Sequence, residues 1–387
     1  MPSHTLIHLP SLAAALLIGL APPAAAQSPP NGSFVATLGR DTVAFESYAW
    51  SGDTLSGSSL TAYPTARVRS YRAVLGVDGG IRHLHLEVGP AGAAPSTIAD
   101  YVYGRDSVRV EVRRDTTTRR FAVATDGDHP LPFFEDLFAF WEMAARRFAA
   151  GSADSATIQT VAGRRLLPVT FRRGGASTVE LSADEWGSGR IELRPDGGAR
   201  SFDMTGTTTK YAVERVPSVD LAAHETAWAA RPQPGSLSPR DTASAEIGSA
   251  TVAVDYGRPS MRGRQVFGGI VPFGQVWRTG ANAATQLITD HDLEIGGQPV
   301  PAGTYTLWTI PGRDGWTLIV NRQHGQWGTE YHPDQDLVRV PLTVTRSDRP
   351  VERFTITVAG GEAGEGSIAL AWERTRATVE VRVKEEP

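Results

Sequence analysis

Four arginines lie within a short stretch rich in glycine, proline and aromatic residues, between Val254 and Thr285. They are Arg258, Arg262, Arg264 and Arg278. The planar guanidinium group of arginine matches carboxylate, phosphate and sulfate groups, and tryptophan rings can stack on sugars or on the guanidinium itself. Because glycine and proline interrupt the stretch, we expect most of it to be ordered loop, where recognition residues tend to lie.

This stretch is therefore a candidate site for an anion or an acidic sugar. Three charge-assisted contacts of about 1.5–3 kcal/mol each, against an association cost of at least about 4 kcal/mol, predict weak binding. Alternatively, the arginines bind loop carbonyls and carboxylates such as Asp255 and keep the loop rigid. We expect Arg278 to be structural, because Trp277 beside it anchors the segment, and Arg258 and Arg264 to be more exposed. The candidate ligand-binding residues are Arg258, Arg264, Arg278, Asn282, Trp277 and Trp327.

Two groups of side chains could in principle bind a metal ion. His83 and His85 lie at alternate positions of one predicted strand and so share a face. His324, His332 and Asp334 lie in the glycine-rich region around Trp327. A solvated strand face and a polar loop are the alternative interpretations. We predict no metal ion and no other cofactor.

Several catalytic classes are excluded or lack their sequence signature. The chain has no cysteine, which excludes thiol catalysis, disulfides and thiolate metal sites. Its only lysines are Lys210 and Lys384, neither within the arginine-rich stretch, so lysine chemistry has two candidates. No nucleophile elbow, phosphate-binding loop, dinucleotide fingerprint or zinc-protease helix occurs.

Length and composition predict a globular protein of two domains. At 387 residues, the chain exceeds the roughly 150 residues of an ordinary domain. Hydrophobic residues make up 41% and charged residues 21%, as in folded soluble proteins. The net charge of -4 creates no global field that favours nucleic acid or an anionic membrane. We therefore expect neither as a partner.

Residues 1–26 have the pattern of a secretory signal. An apolar run from Leu12 to Ala21 precedes a small-residue cleavage site that ends before Gln27. The run is shorter than the about 20 residues that cross a bilayer. We expect an exported protein, periplasmic or extracellular, without a membrane span.

Short alternating runs and turn signals predict a mainly β protein. Residues 33–230 read as an antiparallel β domain, with Gly79 and Gly80 at a tight hairpin. A packed helix is predicted from Phe134 to Ala150, and a second from Val219 to Ala230 with Ser218 as its N-cap. The proline-rich residues 231–240 read as a linker, and residues 241–384 as a β-sandwich.

A series of motifs in the second domain carries a resemblance to a known family. They are Tyr256-x-Arg258-Pro-Ser260, Gly263-Arg264, Phe267-Gly268, Val271-Pro-Phe-Gly274, Val276-Trp-Arg-Thr-Gly-Ala-Asn282, Pro301-Ala-Gly-Thr-Tyr305, Trp316 with Asn321, and Trp327-Gly328. The domain resembles the family called domain of unknown function 2911. The resemblance implies an exported β-rich module and transfers no activity.

Three hypotheses about function follow. The leading one is a non-catalytic binding or accessory module that presents the arginine and tryptophan loops to a small anionic or sugar-like ligand. The second is a hydrolase acting on an extracellular glycan or ester, which would need two carboxylates about 5–9 Å apart. The third is a structural envelope protein, which predicts a large exposed apolar patch.

Overall fold

The computed structural model describes residues 31–126 and 130–384, which form two β-sheets with separate main hydrophobic cores. The parts of the chain that carry the two sheets are called the first and the second domain. The predicted mainly β class is confirmed. The predicted signal sequence lies outside the described residues.

The first domain contains fifteen strands and two helices within the described residues. Its strands are β1 (Gly32–Leu38), β2 (Asp41–Ser51), β3 (Thr54–Thr61), β4 (Arg67–Leu75), β5 (Ile81–Pro90), β6 (Thr97–Tyr103), β7 (Ser107–Arg114), β8 (Thr117–Ala124), β9 (Leu131–Pro132), β10 (Ser155–Ala162), β11 (Arg165–Arg173), β12 (Thr178–Ala183), β13 (Gly187–Leu193), β14 (Ala199–Met204) and β15 (Tyr211–Val216). Its helices are α1 (Phe138–Ala150) and α2 (Leu221–Ala229).

These strands form one sheet in which most sequence neighbours are also spatial neighbours. The order runs from β8 down to β1 and then from β15 down to β9, so the β1–β15 pair joins the two halves. Its described strand pairs are antiparallel except β9 with β10, which is parallel. The predicted hairpin at Gly79 and Gly80 is confirmed, because both lie in the turn between the paired strands β4 and β5.

Helix α1 is buried against this sheet by aromatic side chains. Phe34 of β1 meets Phe138 of α1 at 6.0 Å and Phe202 of β14 at 5.2 Å between ring centroids. Trp141 of α1 stacks on Trp186 at 5.1 Å. Each such side chain contributes roughly 1.5–3 kcal/mol when fully buried, so α1 and the sheet share one core.

The prediction that this helix starts at Phe134 was wrong, because α1 begins at Phe138. The residues before Phe138 make contacts with other side chains. The Phe134 carbonyl accepts a hydrogen bond from Trp141 Nε1 at 2.9 Å. Asp136 forms an ion pair with Arg69 of β4. The helix predicted from the apolar spacing therefore starts earlier in the sequence than the helix in the structure.

A glutamate from the sheet caps the N-terminus of α1. Glu46 Oε2 accepts hydrogen bonds from the backbone N–H groups of Phe138 and Ala139 at 2.6 and 3.0 Å. The Tyr71 hydroxyl donates to Glu46 Oε1 at 2.7 Å. Leu137, at the N-cap position itself, has no side chain that could serve. Glu46 is fully buried, and burial raises its pKa to about 8.

A second buried carboxylate, Glu142, lies on α1. It accepts a hydrogen bond from the Ala199 N–H at 2.5 Å and contacts the Tyr48 hydroxyl and the Arg215 guanidinium. Arg215 also lies over the Phe34 ring, 4.6 Å from its centroid. Each buried carboxylate thus has its own donors, which is the condition under which a core tolerates such groups.

We predict that replacing Glu46 by glutamine flattens the dependence of stability on pH. Glu46 titrates near its ordinary value of 4.5 in the unfolded chain and at about 8 in the folded protein. Between these values the folded protein binds one more proton than the unfolded chain, so stability falls as pH rises, by on the order of 5 kcal/mol across the whole window. Glutamine resembles the protonated form and does not titrate.

Urea unfolding of the parent and of Glu46→Gln at several values between pH 5 and 9 checks this prediction. Subtracting the two curves removes the contribution of all other groups, and the difference should grow above pH 5 in favour of the variant. A constant difference across the range would contradict the raised pKa. Glu46→Ala is the control, because loss of the cap should destabilise the protein at every pH.

The second helix covers the outer face of the sheet. The prediction of Val219 to Ala230 was too long, and Ser218 is not its cap: α2 spans Leu221–Ala229, and Asp220 accepts a hydrogen bond from the Ala223 N–H at 3.0 Å. Trp228 packs on Phe45 at 5.2 Å between ring centroids.

The second domain contains nine strands within the described residues and is the predicted β-sandwich. They are β16 (Arg240–Ile247), β17 (Ala250–Gly257), β18 (Thr285–Thr289), β19 (Leu293–Ile295), β20 (Gln298–Val300), β21 (Gly303–Ile310), β22 (Trp316–Asn321), β23 (Asp336–Gly360) and β24 (Glu365–Val383).

The long strand β23 connects the two layers of the sandwich. Its first part pairs with β22 and its later part with β24, which in turn pairs with β19. The register shifts between Arg346 and Thr355, where the strand changes direction. Val252 and Leu318 from one layer and Ile356 from the other belong to the same buried cluster.

The two domains meet through the arginine-rich loop. Arg262 forms an ion pair with Asp41, donates to the Tyr63 hydroxyl at 3.2 Å and lies 5.2 Å from the Tyr63 ring centroid. The Arg262 carbonyl also accepts the Arg40 N–H at 2.9 Å. In the proline-rich stretch, Gln233 Oε1 accepts the Ala66 N–H at 2.8 Å. These contacts attach both the loop and the linker to the first domain.

We predict that Arg262→Ala increases protease cleavage between residues 231 and 239. The Arg262 side chain is 14% exposed, so its removal opens a closely packed contact rather than a solvated one. Limited digestion with a broad-specificity protease, followed by mass spectrometry, measures the rate of cleavage at the linker. Arg313→Ala is the control, because Arg313 stacks on Phe273 within the second domain. Equal rates for the parent and Arg262→Ala would contradict the role of Arg262 at the interface.

Candidate functional site

The arginine-rich stretch is loop, as predicted, and the sandwich holds it in place. Residues 258–284 lie between β17 and β18 and contain only isolated bridges. Trp277 and Thr309 exchange two backbone hydrogen bonds of 2.7 and 2.9 Å, and the Gly274 N–H donates to the Pro311 carbonyl at 2.8 Å. The loop is therefore fixed to strand β21.

Trp277 anchors the loop in the core. Its ring stacks on Trp372 at 5.9 Å and meets Phe354 at 5.1 Å and Phe267 at 6.1 Å, edge-on in both cases. The ring is consequently occupied by other aromatic rings. The structure gives Trp277 a packing role, as expected for a tryptophan that fixes the segment.

Arg258 holds the loop to the long strand β23. Its Nη1 donates to Asp241 at 2.8 Å, its Nε to the Phe354 carbonyl at 3.2 Å and its Nη2 to the Thr355 hydroxyl at 3.1 Å. All three nitrogens of the guanidinium have partners. These bonds make Arg258 part of the scaffold, although its side chain is half-buried like that of Arg278.

Arg264 also forms hydrogen bonds with the backbone. Its Nε donates to the Met261 carbonyl at 3.0 Å and its Nη2 to the Ser260 carbonyl at 2.8 Å. Burial, together with the positive charge of Arg262, lowers its pKa. No ion pair between Arg264 and a carboxylate occurs within the described residues. It therefore contributes positive charge as well as loop rigidity.

Arg278 differs from the other three arginines. The hydrogen bond found for it within residues 31–126 and 130–384 runs from Nη1 to the Asn282 carbonyl and is long, at 3.4 Å. No carboxylate of that part of the chain pairs with it. The side chain is half-buried against Gly328, where an added Cβ would lie 2.5 Å from Arg278 Cδ. Burial lowers the pKa of Arg278.

A cavity of about 350 Å³ lies beside Arg278. Its walls include Trp308 and Tyr331, whose ring centroids are 5.0 Å apart. Trp308 is 2% exposed, and its Nε1 is buried with no hydrogen-bond partner among the described residues. A buried donor without an acceptor is rare in folded proteins. Arg278 and Trp308 thus both offer N–H groups that the described protein leaves without strong acceptors.

Lys210 brings a further positive charge to the junction of the domains. Strands β1 and β15 pair with Thr37 opposite Ala212, and continuing that register places Lys210 opposite Gly39. An added Cβ on Gly39 would lie 3.0 Å from Arg264 Cγ, so this end of the ladder touches the arginine-rich loop.

Lys210 is half-buried and forms no hydrogen bond or ion pair through its side chain within the described residues. Burial, with the positive charges of Arg278 and Arg264, lowers its pKa. In the sequence, Lys210 stands out only as one of two lysines. Almost seventy positions separate it from Arg278, so no local pattern connects it with the arginines.

The remaining candidates lie apart from this cavity. Trp327 is 47% exposed and, although it bridges Ala283, does not line the cavity. Asn282 has a left-handed φ of 65° and donates from Nδ2 to the Ser238 carbonyl of the linker at 3.4 Å. Asn282 thus joins the loop to the linker.

The histidine groups form local polar contacts. His83 and His85 both approach Asp100, with ring nitrogens 3.4 and 2.8 Å from its Oδ1. The His332 carbonyl accepts a hydrogen bond from Asn321 Nδ2 at 2.8 Å. Within the described residues, His324 and Asp334 have no hydrogen-bond partner in common. Within the described residues, no group of three or more His, Asp and Glu side chains has the geometry to hold a metal ion.

The similarity of this chain to solved structures is distant. A DUF1089 family protein from Pseudomonas aeruginosa is 13% identical, with a TM-score of 0.33 over 41% of this chain and 89% of that one. A putative AttH from Nitrosomonas europaea is 11% identical, with a TM-score of 0.12 over 91% and 92% of the two chains. These superpositions are too loose to support an argument. The search of curated proteins found no match.

The family comparison concerns the domain that carries the loop and the cavity. The motifs quoted above, from Tyr256 to Gly328, lie within it. Residues 238–381 match the family described as "Protein of unknown function (DUF2911)", as the motifs of this region predicted.

Proposed function

We propose that this protein is a non-catalytic binding module for a small anionic ligand, held near the junction of the two domains by Arg278 and Lys210. The observation that carries the proposal is that both cations are half-buried and that neither has a carboxylate partner within the described residues. Arg264 adds positive charge nearby.

The physical argument concerns the cost of burying charge. Removing a cation from water without a partner costs several kcal/mol, and folded proteins ordinarily pair such groups. Burial accordingly lowers the pKa of both Arg278 and Lys210. An anion in the cavity beside Arg278 would relieve the charge of that residue, and it would also reduce the electrostatic repulsion between Arg278 and Lys210.

The cavity restricts the ligand to a small molecule. Its volume of about 350 Å³ lies at the lower end of the usual range for ligand sites. Two charge-assisted contacts supply about 3–6 kcal/mol, against at least about 4 kcal/mol for association. At most about 2 kcal/mol remains, so we expect weak binding, with a dissociation constant on the order of tens of millimolar or above. Dicarboxylates, phosphate esters and acidic sugars have suitable chemistry.

The hydrolase hypothesis has less support at this cavity. Its described lining residues include no aspartate, glutamate, histidine or serine. The two carboxylates that glycoside hydrolysis requires, and the usual nucleophile and base pair, are thus not provided there. The structural-protein hypothesis predicted a large exposed apolar patch, but few large apolar side chains of the described chain are exposed: Val77, Val102, Val276, Ile288, Trp327 and Val344.

We also propose that the protein is exported, on the pattern of residues 1–26. Among the described residues, no helix is long and apolar enough to cross a membrane. Fractionation of cells and N-terminal sequencing test the proposal, which expects a mature chain beginning at Gln27. Recovery of an intact Met1 from cytoplasmic protein would contradict it.

We predict that Arg278→Gln and Lys210→Met each weaken the binding of anions without lowering stability. Losing one charge-assisted contact of about 1.5–3 kcal/mol corresponds to at least a tenfold loss of affinity. Removing a partly buried, unpaired charge should leave the melting temperature of the free protein unchanged or raise it. Calorimetric titration with citrate, glucuronate and inorganic phosphate measures binding, and thermal unfolding measures stability.

Arg258→Gln is the matched control. Its three hydrogen bonds belong to the scaffold, so the variant should lose about 1–3 kcal/mol of stability, or a few degrees in melting temperature. If no tested anion binds the parent or raises its melting temperature, and Arg278→Gln destabilises the protein as Arg258→Gln does, the proposed function is wrong and the loop is scaffold alone.

A further inference from the structure

A second cavity, of about 390 Å³, lies in the first domain beside the C-terminal half of helix α1. Met143, Ala144 and Phe148 of the helix form one wall, and Ala156 and Ile158 of β10 form another. Ile81, after the glycine turn between β4 and β5, contributes to a third side. The cavity is therefore lined mainly by apolar side chains.

Hydrogen bonds keep this cavity from collapsing. Arg173 donates from Nε to the Ala153 carbonyl at 3.0 Å and from Nη2 to the Ala149 carbonyl at 3.2 Å, and it also binds the Gly151 carbonyl. Its guanidinium lies 5.6 Å from the centroid of the Phe148 ring. The loop that follows α1 is thus fixed to β11, and it provides part of the cavity wall in a preformed position.

One positively charged side chain, Arg147, lies at the rim of the cavity. Arg147 is the one charged residue among the described lining residues of the cavity, none of which is acidic. Arg147 is exposed and has no hydrogen bond or ion pair through its side chain within the described residues.

We propose that this cavity binds the hydrocarbon chain of a linear carboxylate, with the carboxylate at Arg147. The apolar walls remove the chain from water, and the single unpaired cation at the rim selects an anionic end over a neutral one. The site is independent of the anion site at the domain junction, because it lies in the first domain and shares no lining residue with it.

Calorimetric titration of the full-length protein with hexanoate, octanoate, decanoate and dodecanoate tests the proposal. Each buried methylene should increase affinity about fourfold, until the cavity is filled and the gain stops. Decanol should bind about threefold more weakly than decanoate, since an exposed ion pair contributes little. No saturable binding of any chain by the parent protein would overturn the proposal.

Ala156→Phe fills the cavity from β10 and should abolish decanoate binding. Ser155→Phe is its matched control, because the same ring is added at the next position of that strand, which does not line the cavity. If Ala156→Phe fails to fold, Ala153→Trp at the exposed end of the cavity serves the same purpose. Unchanged decanoate binding in a folded cavity-filling variant would overturn the location.

Arg147→Gln tests the position of the carboxylate. It should weaken decanoate about threefold and leave decanol unchanged. Equal binding of decanoate and decanol by the parent, with no effect of Arg147→Gln on either, would overturn the assignment of the carboxylate end. Arg278→Gln should leave decanoate binding unchanged, which separates this site from the anion site.

Discussion

A helix enclosed by a sheet must find acceptors for its first N–H groups inside the protein, and in the first domain this constraint determines which side chains occupy the core. Helix α1 has no capping side chain of its own, so Glu46 of β2 takes that role. A buried carboxylate then requires further donors, and Tyr71 supplies one. The cap, the raised pKa of Glu46 and the position of the helix against the sheet therefore all depend on the burial of this one carboxyl group.

The arginines of the second domain fall into two classes, according to whether the fold provides acceptors for their N–H groups. Arg258 and Arg264 resemble Glu46, because their polar atoms meet partners that the fold provides. Arg278 has one long hydrogen bond, and Lys210 has none through its side chain among the described residues. By residue type alone, all three arginines have the same chemistry. Only the partners distinguish a rigid support from a charge that is available to a ligand.

The sequence predicted the class of fold and the nature of the loop well, for reasons that are local. Alternation along strands such as Ile81–Pro90 and turn signals such as Gly79-Gly80 depend on neighbouring residues, so they survive without knowledge of the tertiary structure. The start of α1 was missed because its cap comes from β2, far away in the sequence. The contact between the ends of β1 and β15, which brings Lys210 near the loop, was beyond prediction for the same reason.

The backbone of Lys210 adds an argument about why a lysine occupies this position. Its φ is 61°, in the left-handed region that glycine and asparagine adopt with less strain. A long side chain there costs on the order of 1 kcal/mol, and it brings a charge to a place where Arg278 and Arg264 already lower its pKa. Stability alone therefore disfavours lysine twice at this site, through the backbone and through the charge. An anion shared with Arg278 would offset the second of these costs, and it gives the position a physical reason to carry a cation.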